Sequence, residues 1–214
     1  MSKSFSDTDN EGKPVDLSLN EIFDLDNGFF IELGANDGLQ QSNTAFFEFF
    51  RGWKGILIEP SVDAYKKCVV NRPNSKCYNY ACVSDDYVED FVYGDFWGHT
   101  MGSVNGTRCN TYQLIKTPSI TLNKVLKLND IDHIDFLSLD VEGYELNVLK
   151  GLDLNIYRPK YMLIEIYNNQ YDDIVKYLHD NNYKVHSNIT HYNKKDRPAW
   201  DETHNDYLFI NNLL

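Results

Sequence analysis

The stretch from Ile134 to Gly151, Ile-Asp-Phe-Leu-Ser-Leu-Asp-Val-Glu-Gly-Tyr-Glu-Leu-Asn-Val-Leu-Lys-Gly, changes its apolar period part-way along. It begins as a buried strand and ends in acids. From about Gly143 the apolar positions Leu146 and Leu149 fall on one helical face, and Gly151 suits the C-terminal cap. A strand that runs straight into a helix is the unit of a parallel sheet, because parallel neighbours need a crossover between them. The unit recurs along the chain. Gly28 to Leu33 is an apolar run closed by Gly34-Ala-Asn-Asp-Gly38, after which Ser42 or Asn43 can cap a helix reaching Phe50. Gly55 to Glu59 reads as a second strand, ended by Pro60, and Ser61 can cap a helix from about Val62 to Asn71. Tyr78 to Val83 reads as a third strand, and Ser119 to Leu128 as a strand end followed by a helix. Tyr161 to Ile166 reads as a strand, Tyr171 to Asn181 as a helix, and Tyr183 to Ser187 and Tyr207 to Asn211 as two more strands. No helical pattern separates the last two, which predicts an antiparallel hairpin at one edge of a mostly parallel α/β sheet covered on both faces.

A chain of 214 residues that is 42% hydrophobic can bury one core. Residues 1–27, rich in Ser, Asp, Asn and Lys, read as a mobile lead-in with one short helix near Leu17 to Phe23, which leaves 28–214 as the domain. The 20 Lys and Arg against 32 Asp and Glu give a net charge of -12, which repels a phosphate backbone and disfavours a nucleic-acid partner. Apolar runs such as Gly28 to Leu33 and Phe46 to Phe50 are too short to span a bilayer, and no basic region followed by an apolar stretch opens the sequence. The expectation is a soluble, cytoplasmic protein. In that setting Cys68, Cys77, Cys82 and Cys109, which lack CxxC spacing, are expected as buried thiols rather than bridges or zinc ligands.

In open α/β sheets ligands collect beyond the carboxyl ends of the strands, where helix N-termini also point. Those ends carry a series of acids here: Glu32, Glu59, Asp85, Asp140 with Glu142, and Glu165. Each alone could complement a helix dipole. Glu32 stands out, because a carboxylate inside an apolar strand is costly without a partner. The Gly34 to Gly38 turn allows a ligand close to the backbone, and Glu59 at the end of the next strand is positioned for a ribose diol. A dinucleotide fingerprint needs a glycine where this chain has Asn36, whereas a sulfonium cofactor carries no pyrophosphate there and tolerates Asn.

The stretches FFIELGANDG, SNTAFFEFFRGWKGILIEPS, NRPNSKCYNYACVS and IDFLSLDVEGYELNVLKGL together resemble the FkbM-type methyltransferases, in order and in spacing. The resemblance runs over about 28–168, with a weaker echo at Asp206-Tyr-Leu-Phe-Ile. It implies the class I methyltransferase fold, Rossmann-like, with strand order 3-2-1-4-5-7-6 and one antiparallel strand, and S-adenosylmethionine as the methyl donor. By matching position it implies cofactor contacts from Glu32, Gly34, Ala35, Asn36, Asp37, Gly38 and Asn43 in and after the first motif, with Glu59 and Pro60 at the ribose. Ser84 and Asp85 would lie near the adenine, and Asp140 at the fourth motif. Ser138 stands where a Lys is common in the family, and TLNKVL at Thr121 replaces a more usual TLD pattern.

The resemblance directs the chemistry to a hydroxyl of a glycan or small-molecule acceptor. A sugar hydroxyl is weakly acidic and calls for a carboxylate or His base, often with a divalent cation to steady the alkoxide. Glu142 is the expected base beside Asp140, and Asp140 with Glu165 offers hard oxygens for Mg²⁺ or Mn²⁺. Glu145 is expected to face solvent. His99, His191 and His204 could overhang the same mouth, and Trp97 and Trp200 could offer stacking platforms for a sugar. One alternative is a non-catalytic protein that keeps the fold for binding partners, against which the intact Glu32, Glu59 and Asp140 set argues. Another is an amino-group methyltransferase of nucleic acid, which would carry an Asn/Asp-Pro-Pro-aromatic turn where this chain has Asp140-Val-Glu-Gly.

Overall fold

The alternation of runs becomes a three-layer α/β arrangement in the computed structural model, which describes residues 3–97, 101–104 and 113–213. The chain forms α1 (Val15–Phe23), β1 (Phe29–Leu33), α2 (Ala45–Phe50), β2 (Lys54–Ile58), α3 (Val62–Asn71), β3 (Lys76–Tyr78), β4 (Ala81–Cys82), β5 (Phe91–Gly94) and β6 (Ile115–Ile120). There follow α4 (Leu122–Leu128), β7 (Phe136–Leu139), α5 (Glu145–Leu149), β8 (Tyr161–Tyr167), α6 (Tyr171–Asp180), β9 (Tyr183–Asn188) and β10 (His204–Asn211). The main sheet has seven strands in the order β3-β2-β1-β7-β8-β10-β9. That is the order expected, with β10 antiparallel to both β8 and β9 and the other pairings parallel.

Strand parity sorts the core into two halves. Ile31, Leu33, Ile56, Leu137, Leu139, Met162 and Ile164 meet Leu122, Val125, Leu126, Leu149, Ile174 and Leu178 from α4, α5 and α6. Phe30, Leu57, Phe136, Leu163 and Leu208 meet the other layer, in which Leu19 and Phe23 of α1 and Phe46 and Phe47 of α2 are buried.

Two expectations change. The third strand divides: β3 pairs with β2 in the main sheet, whereas β4 joins β6 and β5 in a separate three-stranded sheet. The break between Tyr78 and Ala81 is held by Asn79, whose side-chain amide donates to the carbonyls of Glu59 and Pro60 at 2.8 and 2.9 Å. The segment before β1 is also packed rather than loose. Asp16 is fully buried and accepts from Ser4 Oγ and Phe5 N at 2.8 Å each, and the side chains of Leu19 and Phe23 close the core. Asn10 N donates to Thr190 O, and Tyr192 Oη to Thr8 O, which ties this segment to the β9–β10 connection. Polar composition hid this packing, because the apolar positions that matter fall one turn apart on a single helix.

Candidate active site

The carboxyl ends of β1, β2 and β7 meet around Gly34. Its φ is +75°, and a Cβ built there would lie 1.8 Å from the Asp140 carbonyl oxygen, so only glycine lets these two strand ends approach. Gly34 N and Ala35 N both donate to Ile58 O, at 3.1 and 3.3 Å, and so dock the loop on β2. Asn36 has φ +46° and donates its N–H to Glu59 Oε2 at 2.8 Å, while Ser61 N donates to Glu59 Oε1 at 2.7 Å. Burial pushes the Glu59 carboxyl up to about 7 against the opposing pull of those two backbone donors.

Beside Glu59 opens a cleft whose walls include Ile58, Pro60, Tyr80, Ala81, Phe96 and Val104, an apolar slot that Gly34 and Asn36 also line. Five of the residues expected to hold the cofactor line it: Gly34, Asn36, Glu59, Pro60 and Asp140. The others do not line it. Asp37 Oδ1 accepts from Leu39 N and Gln40 N and shapes the turn, and Gly38 O accepts from Arg72. Ser84 donates to Asp86, and Asp85 Oδ2 accepts from Asn123 Nδ2 at 2.8 Å. Asn43 bonds Ser138 and lies on the second cleft described below.

Glu32 lies behind the slot rather than in its lining. Period-two alternation places it on the Phe30 face, toward α2 and α3, where Ser42 Oγ, Asn43 N and Thr44 Oγ1 donate to it at 3.0, 2.9 and 2.6 Å. Arg72, fully buried, adds Nη1 at 3.3 Å and bonds Glu48 Oε2 through Nε at 2.8 Å. The expectation that Glu32 needs a partner is met by the protein itself.

A second cleft shares Asp140 and Glu142 with the first and is lined by Asp7, Gln41, Asn43, Glu165, Tyr192, His204 and Asp206. Glu165 and Asp206 face each other directly across the β8–β10 pair. Carboxylate oxygens of Asp140, Glu145 and Glu165 all lie within 4.8 Å of one another. Burial and the neighbouring Glu142 and Asp206 charges drive Asp140 well above the usual carboxylate range, although water reaches it from the clefts. Burial followed by the Asp140 charge raises Glu165 likewise, and burial pushes Glu145 and Asp206 up to about 7.

Glu145, expected in solvent, is instead fully buried. Its Oε1 accepts from Val141 N and Gly143 N at 3.1 and 3.0 Å, folding the 140–144 turn back over its own side chain, and its Oε2 is buried with no hydrogen-bond partner among the described residues. Nothing in the spacing marked it, because the helix it opens starts only at Glu145 itself. Glu142, at φ +57°, projects from the tip of that turn and accepts from Tyr167 Oη at 2.6 Å. Of the histidines, His204 reaches the site, with Nε2 3.3 Å from Glu165 Oε1. His191 is turned to Glu11 at 2.6 Å and lies off both clefts, and His99 lies outside the described residues. Neither Trp97 nor Trp200 lines either cleft.

The model of the methyltransferase FkbM domain matches residues 32–185. The chain belongs to the FkbM methyltransferase family. Comparison with curated protein sequences finds no match. Among solved structures it is similar to a precorrin-6y C5,15-methyltransferase from Geobacter metallireducens, at 9% identity and TM-score 0.50 over 92% of this chain and 87% of that one. It is also similar to a chain of a fibrillarin/Nop5p complex, at 9% identity and TM-score 0.50 over 86% of this chain and 73% of that one. Such similarity establishes the fold, that of class I S-adenosylmethionine-dependent methyltransferases. Among the described residues, no helix is long and apolar enough to cross a membrane.

Proposed function

We propose that this FkbM-family methyltransferase transfers a methyl group from S-adenosylmethionine to a hydroxyl of a carbohydrate acceptor, with Glu142 as the proton acceptor and a divalent cation assisting. The observation that carries the reading is the meeting of two unlike clefts at Asp140 and Glu142, one an apolar slot floored by Glu59 and the other polar and rich in acids. The slot suits an adenosine, with Glu59 accepting from ribose hydroxyls and Ile58, Tyr80 and Phe96 packing beside a flat base. When bound, the cofactor supplies a methyl group already activated on a sulfonium. The protein's task is then to align an oxygen with it and take one proton.

Glu142 suits that task because Tyr167 fixes its carboxylate at the junction of the clefts. Asp140, Glu145 and Glu165 are the residues that would hold Mg²⁺ or Mn²⁺, a fit supported by their mutual approach and by the Glu145 Oε2, which is buried with no hydrogen-bond partner among the described residues. A cation there would supply electrostatic stabilisation of the deprotonated acceptor. The acid lining and the net charge of -12 favour a neutral polyol over a nucleic acid.

The test combines binding and turnover. Calorimetric titration with S-adenosylhomocysteine should show Glu59→Ala binding weaker by about 1–3 kcal/mol, the worth of charge-assisted hydrogen bonds to the ribose. Mass spectrometry of defined glycans incubated with cofactor should show products one methylene heavier, formed with Mg²⁺ or Mn²⁺ and lost after chelation. Unchanged affinity in Glu59→Ala removes Glu59 from the site. Transfer to amines but not to hydroxyls overturns the acceptor class, and full activity after exhaustive chelation rejects the cation.

A further inference from the structure

Below the cofactor loop two thiols face each other across the join between a helix and an edge strand. Cys68 on α3 is buried and Cys77 on β3 is half-buried, both are free, and their sulfurs lie 3.5 Å apart. A disulfide requires about 2.05 Å, so the sulfurs need to close by only about 1.5 Å. The strand that must yield is three residues long and lies at the sheet edge, bonded only to β2. Cys68 also supports the loop. A Cβ added to Gly38 would lie 3.0 Å from Cys68 Sγ, and Arg72, one helical turn after Cys68, donates to Gly38 O at 3.0 Å.

We propose that Cys68 and Cys77 form a reversible disulfide by exchange with a small disulfide of the glutathione type, and that the bond braces α3 against β3 beneath the cofactor loop. This assignment stands independently of the acceptor and of any cation. Cys77 is the attacking group, because it is the more exposed of the two and because the bond it shares with Cys68 and the nearby Arg72 guanidinium favour its thiolate, while that shared bond and burial raise the Cys68 thiol. The Cys77 thiolate attacks one sulfur of oxidised glutathione, forming a Cys77–glutathione bond and releasing one glutathione thiolate. Cys68 then gives up its proton and attacks the Cys77 sulfur, expelling the second glutathione. Two protein thiols and one oxidised glutathione become one protein disulfide and two reduced glutathiones, with the protein's two protons ending on the released thiolates. In a reducing compartment such a bond is transient, which suits a reversible brace.

The experiment equilibrates the reduced full-length chain with graded mixtures of reduced and oxidised glutathione, followed by acid quench, alkylation and peptide mapping. The expected product links Cys68 to Cys77, lighter by two hydrogens than the dithiol, and reverts in excess reduced glutathione. Because the closed loop is short, the oxidised chain should melt about 5–10 °C higher than the reduced one. Cys68→Ser should trap a stable mixed disulfide on Cys77, whereas Cys77→Ser should leave Cys68 unmodified. The proposal is overturned if both thiols are alkylated at every ratio, if the parent accumulates a mixed disulfide on Cys77, or if oxidation lowers the melting temperature.

Discussion

At the scale of single residues, two glutamates three positions apart sit in different surroundings. Glu142 projects into the junction of the clefts, while Glu145 is folded under the turn that presents it. Glu142→Gln keeps the shape and an acceptor for Tyr167 but removes the basic site. Turnover should fall by roughly two to four powers of ten with melting temperature and cofactor affinity nearly unchanged. Glu145→Ala behaves differently, since it leaves two backbone N–H groups without their acceptor in a half-buried turn. About 1 kcal/mol of stability per donor that loses its bond should be lost along with activity. Steady-state rates and thermal melts on the two variants separate the roles. Equal melting losses in both would mean that Glu142 is a structural member of the turn.

At the scale of elements, Arg72 is the join between α3, β1 and α2. Buried at the end of α3, it contacts Glu32, Glu48, Gly38 O, Ser42 Oγ and Thr44 Oγ1, and its guanidinium lies 5.2 Å from the Phe30 ring centroid. Arg72→Leu strips the positive partner from two buried carboxylates, a loss of about 3–5 kcal/mol, or about 6–20 °C in melting temperature for a chain of this size. Lys176, paired with Asp180 one turn on along the exposed side of α6, is the surface control, and Lys176→Ala should leave the melting temperature nearly unchanged. Comparable melting shifts in the two variants would contradict the buried join. The elements themselves were legible in the sequence wherever an apolar run of one period met a Gly-rich or capped turn, as at Leu33 to Gly38 and Leu139 to Gly143. What escaped was side-chain direction. Parity places Glu32 on the Phe30 face, where Arg72 waits from forty residues away, and no local pattern announces that partner. Glu145 was misread for a related reason: a five-residue helix leaves too little periodicity to tell its buried face from its wet one.

At the scale of the whole molecule, the concentration of recessed acids reverses the usual dependence of stability on pH. Glu59, Glu145 and Asp206 are each pushed up to about 7 by burial, Glu165 is raised by burial and by the Asp140 charge, and Asp140 by desolvation between the clefts and by the Glu142 and Asp206 charges. Unfolded, all five titrate near 4, so between about pH 4.5 and 7 the folded chain binds more protons than the unfolded one. The stability these groups contribute is fully present below their unfolded values and is lost as pH rises through the folded ones. With chelator present, the melting temperature should therefore fall steadily from about pH 5 to about pH 8, where acids already ionised in the fold would have given a rise. Glu59→Gln removes one group from the set and should shallow the slope without abolishing it. Were Asp140, Glu145 and Glu165 to hold the proposed cation, it would compete with those protons, so added Mn²⁺ should raise the melting temperature more at pH 8 than at pH 5.5. Differential scanning fluorimetry across this range decides the matter. A flat or rising profile in chelator would mean that these carboxylates are hydrated in the folded chain and that the floor of the two clefts is more open than their burial implies.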